Sequence, residues 1–333
     1  MLIAVDAMGG DHAPLEVCKG ALEAVGSFED LEIVLVGQLP RLNEVFQREL
    51  QVEVPSRVHL EHAEEFIGMD EQPAMAFRRK RRSSLRVAAE MLKSGQVDGV
   101  VSAGNTGAVV AAGVLVVGRI EGVHRPGLGI PTPALERVSF VIDVGATVEC
   151  EPLDLYQFAL MGSLYMENVF GVKEPSVALL SNGEEEIKGG ELISKAREML
   201  ASSRLNFAGY AEGKDIPFGK FDVVVCDGFT GNVLLKFVEG VGEALHALFK
   251  AELLRRKFSA ALGLLFLKPI LRDVLARLDY ERYGGAPLLG VKGAVIKAHG
   301  RSRHRAIASA IRVARETVLR GLPSRIEAGL EWR

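Results

Sequence analysis

Short apolar runs that end in glycine-rich turns recur along this chain, and that pairing constrains the fold more than any other feature. The runs cover residues 2–6, 31–36, 58–60, 99–102, 138–144, 177–180, 205–209 and 223–226. Several are unbroken stretches of Val, Ile and Leu, the composition of strands buried on both faces. Helical periodicity fills the intervals at residues 15–24, 85–93, 154–169 and 191–200. Alternation of this kind predicts an α/β fold, a mostly parallel sheet with helices on both faces. No Pro-, Gly- or Ser-rich linker divides the chain, so residues 1–333 read as a single domain. Residues 240–278 lack a strand signal and read as a protruding helical arm, about 240–280, broken or turned near Gly263 and Pro269.

Charge and composition exclude several classes. The formal net charge of -3 and the 6% aromatic content argue against a nucleic-acid binder, which would carry a basic surface or stacking platforms. Cys18, Cys150 and Cys226 are widely spaced, with no CxxC pair, so neither a disulfide framework nor a zinc site is expected. A reducing cytoplasm is the expected compartment. Met1 to Asp6 has no basic leader and reads as a buried first strand. No apolar run approaches the roughly 20 residues that span a bilayer.

The turns suggest chemistry. Those at strand ends are Ala7-Met8-Gly9-Gly10-Asp11-His12, Ala103-Gly104-Asn105-Thr106-Gly107, Val144-Gly145-Ala146-Thr147, Ser181-Asn182-Gly183-Glu184 and Gly228-Phe229-Thr230-Gly231-Asn232. In open α/β sheets, ligands bind at the carboxyl ends of strands. Glycine lets backbone N–H groups approach an anion, and Asn and Thr add neutral donors. Taken singly, each turn is equally a tight turn or a helix cap; taken together, the set predicts one anion-binding cleft. No GxGxxG, P-loop, GxSxG or HExxH motif is present, and no cofactor or metal is expected. No motif supplies an obvious nucleophile for covalent catalysis.

The same turns resemble the signature blocks of the phosphate acyltransferase family of bacterial phospholipid synthesis (PlsX). The matching blocks are Val5-Asp6-Ala7-Met8-Gly9-Gly10-Asp11, Ser102-Ala103-Gly104-Asn105-Thr106-Gly107-Ala108, Asp143-Val144-Gly145-Ala146, Asn182-Gly183-Glu184-Glu185-Glu186-Ile187-Lys188-Gly189, Asp227-Gly228-Phe229-Thr230-Gly231-Asn232 and Tyr283-Gly284-Gly285-Ala286-Pro287-Leu288-Leu289-Gly290, leading to His299-Gly300. They cover nearly the whole chain in family order. Thr147 stands where the family usually has Asn, and Arg301 where it usually has a small residue. The resemblance implies a Rossmann-like fold shared with phosphate acetyltransferases and isopropylmalate-type dehydrogenases. It further implies a homodimer that transfers an acyl group from an acyl carrier protein to inorganic phosphate, giving acyl phosphate for phospholipid synthesis.

On that resemblance, Lys188, Asn232 and His299 are the expected catalytic residues. Asp6, Gly9, Gly10, Gly104, Asn105, Thr106, Gly107, Asp143, Asn182, Gly228, Gly231, Arg79 and Lys80 are expected around the substrates. Lys188 would neutralise phosphate or the oxyanion, and His299 would position phosphate or move a proton. Asn105 and Asn232 suit donor roles because their amides stay neutral. Asp6, Asp143 and Asp227 are expected to brace loops, since a carboxylate touching phosphate repels it. The run Arg78-Arg79-Lys80-Arg81-Arg82 suits an acidic carrier protein or phosphate, against the plain reading of a solvated helix face. The apolar centre 258–267, with basic flanks, suits either an anionic membrane surface or a dimer interface. At a membrane it would sit near the downstream glycerol-3-phosphate acyltransferase. Two rival readings stand beside this one: an isopropylmalate-type NAD-dependent dehydrogenase, and a non-catalytic membrane scaffold.

Overall fold

The computed structural model describes residues 1–135, 137–183, 190–255, 267, 269–270 and 284–330. Its strands are β1 (Leu2–Asp6), β2 (Glu32–Gly37), β3 (Val58–His62), β4 (Gly99–Ser102), β5 (Gly127–Pro133), β6 (Val138–Ile142), β7 (Val177–Leu180), β8 (Phe207–Ala211), β9 (Val223–Val225), β10 (Ala286–Leu289) and β11 (Ala294–Lys297). They form one sheet in the order β3-β2-β1-β4-β11-β10-β5-β6-β9-β7-β8. The labelled helices are α1 (Leu15–Ser27), α2 (Leu39–Glu44), α3 (Pro73–Arg79), α4 (Ser84–Lys93), α5 (Thr106–Ala112), α6 (Pro152–Phe170), α7 (Gly190–Ala201) and α8 (Gly228–Arg255). Two more, His304–Leu319 and Leu322–Leu330, close the described chain.

The interior of β1 shows why its sequence is unbroken apolar. Ile3 and Val5 pack into a cluster with α1 and the His304–Leu319 helix, whereas Ala4 packs into another cluster with α4. Side chains alternate across a strand, so a strand covered on both faces has no position left for a polar residue. The second half repeats the arrangement. Residues Phe140, Ile142, Val223 and Val225 share a cluster with α6. Their neighbours Val141 and Val224 share one with α5.

The expected mostly parallel α/β sheet is present, with one feature beyond that expectation. Strands β11-β10, β10-β5 and β5-β6 pair antiparallel, and the other described pairs are parallel. Three reversals invert the sense of β6, β9, β7 and β8 relative to β4. The two parallel blocks therefore run in opposite senses, and the turns after β4 and β6 still meet, since Gly107 and Gly145 line one cavity. Strands β5, β10 and β11 are absent from the sequence reading. The β5 segment, Gly127-Leu128-Gly129-Ile130-Pro131-Thr132-Pro133, carries two glycines and two prolines, which read as loop.

One long helix enters the segment expected as an arm. Helix α8 starts at Gly228, inside a glycine turn, and runs without a break to Arg255. Phe229, Phe237, Val241, Leu245 and Leu248 lie exposed along it. Of the apolar centre 258–267, all but Leu267 lies outside the described residues, as do Gly263 and Tyr283. No helix among the described residues is long and apolar enough to cross a membrane.

Candidate active site

The carboxyl ends of β1, β4 and β11 build the first of two rims. Asp6 ends β1 and points inward. Its carboxylate accepts hydrogen bonds from Ser84 Oγ (2.6 Å), Ser102 Oγ (2.7 Å) and the Met8 amide (3.2 Å). Ser102 Oγ also accepts from the Gly104 amide at 3.0 Å, so the carboxylate and hydroxyl tie the β1 turn to the β4 turn. Gly9 fills the contact between them: a Cβ there would lie 2.6 Å from Asp6 Oδ2 and 2.7 Å from the Gly104 nitrogen. Gly10 packs on Gly300, and the Asp11 amide donates to the Gly300 carbonyl at 2.8 Å, which brings in the β11 turn. Burial pushes the Asp6 pKa up, against the pull of its two hydroxyl donors.

A second rim follows β6 and β9. The buried Asp143 carboxylate accepts from the amides of Leu128 (2.8 Å), Gly145 (3.1 Å), Ala146 (3.0 Å) and Thr147 (2.6 Å). Burial pushes its pKa up to about 6 despite these four bonds. Thr147, which departs from the family pattern, donates its hydroxyl to the Pro126 carbonyl at 3.0 Å. Asp227 caps α8, accepting from the Thr230 amide (2.8 Å) and hydroxyl (2.6 Å). Gly228 and Gly231 are buried where the first turn of α8 meets the Asp143 loop; a Cβ on Gly231 would fall 1.9 Å from the Asp143 carbonyl oxygen.

These contacts occupy part of the expected ligand set. Asp6, Asp143, Gly9, Gly104, Gly228 and Gly231 are engaged with one another, and the two carboxylates face the interior. Asn105 is also spent. It caps α5 by accepting from the Ala108 amide (3.3 Å), and its amide donates to the carbonyls of Met69 (3.1 Å) and Glu71 (3.4 Å). Thr106 and Gly107 open α5, with Gly107 against Pro73 of α3. Asn232 differs: it is exposed on α8, and its side chain makes no hydrogen bond among the described residues. Gly145 faces it, with a Cβ position there 3.6 Å from Asn232 Cγ.

Helices connect the two rims. Along α8, Asn232 precedes Glu239 by about 10 Å of helix rise. Glu239 Oε1 lies 3.3 Å from His299 Nε2, just beyond β11. His299 Nδ1 accepts from the Arg301 amide at 3.2 Å, so the ring proton sits on Nε2. Burial pulls the His299 pKa down, opposed by the nearby Glu239 carboxylate. Arg301 pairs with Glu243 one turn further along α8. On the other side, α3 and α5 meet the Asp143 loop around a cavity of ≈ 380 Å³, lined by residues that include Pro73, Met75, Gly107, Val110, Gly145 and Ala146.

The basic run is divided. Lys80 pairs with Glu71, donates to the Phe66 carbonyl at 2.9 Å and lies over the Phe66 ring, which makes it part of the local packing. Arg82 pairs with Glu64. Arg78, Arg79 and Arg81 are exposed, with no ion pair within 4.0 Å among the described residues. Asn182 is exposed beyond β7, which pairs with β9. Lys188 lies outside the described residues.

One cationic residue escaped the sequence reading. Lys297 ends β11 opposite Ser102 and is only 7% exposed. Its ammonium reaches the carbonyls of Ala103 (3.5 Å) and Ala298, and no carboxylate lies within 4.0 Å among the described residues. Burial lowers its pKa to about 8, opposed by Asp11, Asp6 and Glu239. The available signal was a lysine closing the apolar run Ala294-Val295-Ile296, two residues before His299. The three cysteines are poor nucleophiles: burial pushes Cys18 and Cys150 up to about 12, and Cys226 well above the usual thiol range.

Residues 1–325 match the family model described as "Fatty acid synthesis protein". The chain is 47% identical over 331 residues to a phosphate acyltransferase of Desulfitobacterium hafniense (strain DSM 10664 / DCB-2), covering 99% of this chain and 98% of that protein. It is 50% identical over 318 residues to the phosphate acyltransferase of Heliobacterium modesticaldum, covering 96% and 94%. Among solved structures, the fold resembles a phosphotransacetylase from Streptococcus pyogenes, with a TM-score of 0.62 at 15% identity over 96% of this chain and 94% of that one. It also resembles 4-hydroxythreonine-4-phosphate dehydrogenase from Klebsiella pneumoniae, with a TM-score of 0.53 at 13% identity over 95% and 98%. The architecture alone thus leaves transferase and dehydrogenase side by side, and the sequence relatives separate them.

Proposed function

The chain belongs to the phosphate acyltransferase family, and from that membership we propose that it moves a long-chain acyl group from an acyl carrier protein thioester to inorganic phosphate. It is an acyltransferase; the carrier-protein donor and the acyl phosphate product are the proposed particulars. An oxygen of monohydrogen phosphate bonds to the thioester carbon, the carbon–sulfur bond breaks, and the proton of the phosphate ends on the departing sulfur. Atoms and charge balance without an acyl-enzyme, in keeping with three thiols whose pKa values are all raised.

The observation that supports this reading is the contrast between the rims. Asn232, an exposed amide with no hydrogen bond among the described residues, faces the oxyanion that forms at the carbonyl. Lys297 receives the phosphate from the other rim, with His299, held by Glu239, beside it. Lys188 keeps the role that the family resemblance implies for it. Arg78, Arg79 and Arg81 offer positive charge to the acidic carrier.

We further propose that a second copy of the chain covers the exposed apolar residues of α8, and that residues 258–267 contact an anionic cytoplasmic membrane near the consuming glycerol-3-phosphate acyltransferase. Phe237→Glu should then halve the mass read by light scattering, and an unchanged mass would exclude α8 from the interface.

The test of the activity is direct. Palmitoyl-acyl carrier protein, phosphate and enzyme are incubated together and the product is trapped with hydroxylamine. Hydroxamate that requires both phosphate and enzyme is expected. Its absence from folded protein at every chain length would remove the proposal.

A further inference from the structure

The cavity between α3, α5 and the Asp143 loop has no part in the polar chemistry above. It measures ≈ 380 Å³, and among the described residues no ionisable side chain lines it: Gln72, its one polar side chain, precedes α3, Pro73, Ala74 and Met75 come from α3, Gly107 and Val110 from α5, and Ala146 from the loop. That volume falls in the range of roughly 300–1,000 Å³ typical of small-molecule sites. Its position is informative in three ways. Gly145 belongs to its lining and also faces Asn232, so one wall of the cavity backs onto the free amide. Gly107 holds α3 close to α5, since a Cβ there would meet Pro73 Cβ at 2.7 Å. Helix α3, which supplies three of the lining residues, carries Arg78 and Arg79 in its last turn and precedes Arg81.

Resting on the acyl-transfer reading, we propose that this cavity takes the aliphatic chain of the acyl donor. The carrier protein sits on the arginines at the end of α3. The chain lies under the first turn of α3 against Val110 and Ala146, which leaves the thioester carbon at the Gly145–Asn232 edge. An apolar chain suits a lining without ionisable groups, where a charged ligand would lose its hydration and find no partner. Met75, 65% exposed, carries the apolar lining out to the surface, where a chain longer than the cavity would emerge. Met75 and Val110 are therefore the residues that set chain-length preference.

Two variants test this by hydroxamate trapping with palmitoyl- and octanoyl-carrier protein in parallel. Val110→Phe fills the cavity from α5, and Met75→Trp narrows it from an exposed position that leaves the core intact. Each methylene excluded from an apolar pocket lowers specificity roughly 10–200-fold. The ratio of palmitoyl to octanoyl turnover should therefore fall at least ~10-fold in each variant that melts as the wild type does. An unchanged ratio in Met75→Trp, whether or not Val110→Phe folds, overturns the chain-binding assignment while the acyltransferase reading stands. Wild-type protein that yields no hydroxamate from either donor would instead bring down the reading on which the assignment rests.

Discussion

Each rim stands on a buried aspartate, and the two aspartates are satisfied in different ways. Asp143 takes its hydrogen bonds from four backbone amides, three of them within the next four residues, and so shapes its own loop. Asp6 takes two of its bonds from hydroxyls 78 and 96 residues away and so locks separate elements together. The surroundings differ in the same sense. Around Asp6 stand charged or polar groups, Lys297, His299 and Asp11, whereas the Asp143 rim presents a neutral amide and an apolar cavity. One rim suits an anion, the other an acyl group. In the proposed reaction two chemically unlike substrates would meet two unlike surfaces, with α5 and α8 reaching both rims.

The comparison breaks most visibly at Asp143. Asp143→Ala leaves four amides without their acceptor, and at roughly 1–3 kcal/mol each it should cost about 4 kcal/mol or more in urea unfolding. A loss below about 1 kcal/mol would mean that the loop does not depend on the carboxylate. Next comes Asn232→Ala, which should lower turnover by about 10²–10³-fold with an unaltered melting curve, the effect of one lost oxyanion donor. Near-full turnover would end its catalytic role. Ser102→Ala removes one bond to Asp6 and one from Gly104, and should cost about 1–3 kcal/mol in the same unfolding assay while Asn232→Ala costs nothing there.

Smaller effects come with pH. The Lys297 pKa is lowered to about 8, so its ammonium is present below that value and lost above it. KM for phosphate should climb as pH passes about 8 in the wild type and show no such break in Lys297→Met. A break that persists in Lys297→Met would assign it to another group. Stability carries the opposite sign for this residue. Between about 8 and the ordinary 10.5 the unfolded chain binds the proton more tightly, so the lysine's contribution to stability rises across that window. For Asp143 the folded pKa is raised to about 6, so its contribution is fully present below the ordinary 3.8 and is lost as pH rises through 6.

Much of the scaffold was legible because buried strands have no polar positions. Residues 2–6, 99–102 and 177–180 were read with the boundaries they have in the fold. The reversal of the second block was hidden, since it depends on β5, whose glycines and prolines imitate a loop, and on the four-residue β10 with Pro287 inside it. The site was legible as a set of turns and illegible as a division of roles. A sequence does not show that the Asn105 amide is taken by Met69 and Glu71 from more than thirty residues away, or that Gly231 is required by the Asp143 carbonyl. Lys297 was overlooked because a lysine at the end of a strand ordinarily reaches solvent, and only the packed ends of β4 and β11 bury it.

The central claim is that phosphate, held at the Asp6 rim, attacks a thioester held at the Asp143 rim without an acyl-enzyme. Intact-protein mass spectrometry of a single turnover tests it directly, with enzyme in excess over palmitoyl-carrier protein and phosphate withheld until the second sample. The account predicts unmodified enzyme before phosphate and acyl phosphate after it. A palmitoyl adduct on the enzyme that forms first and is then discharged by phosphate would contradict it.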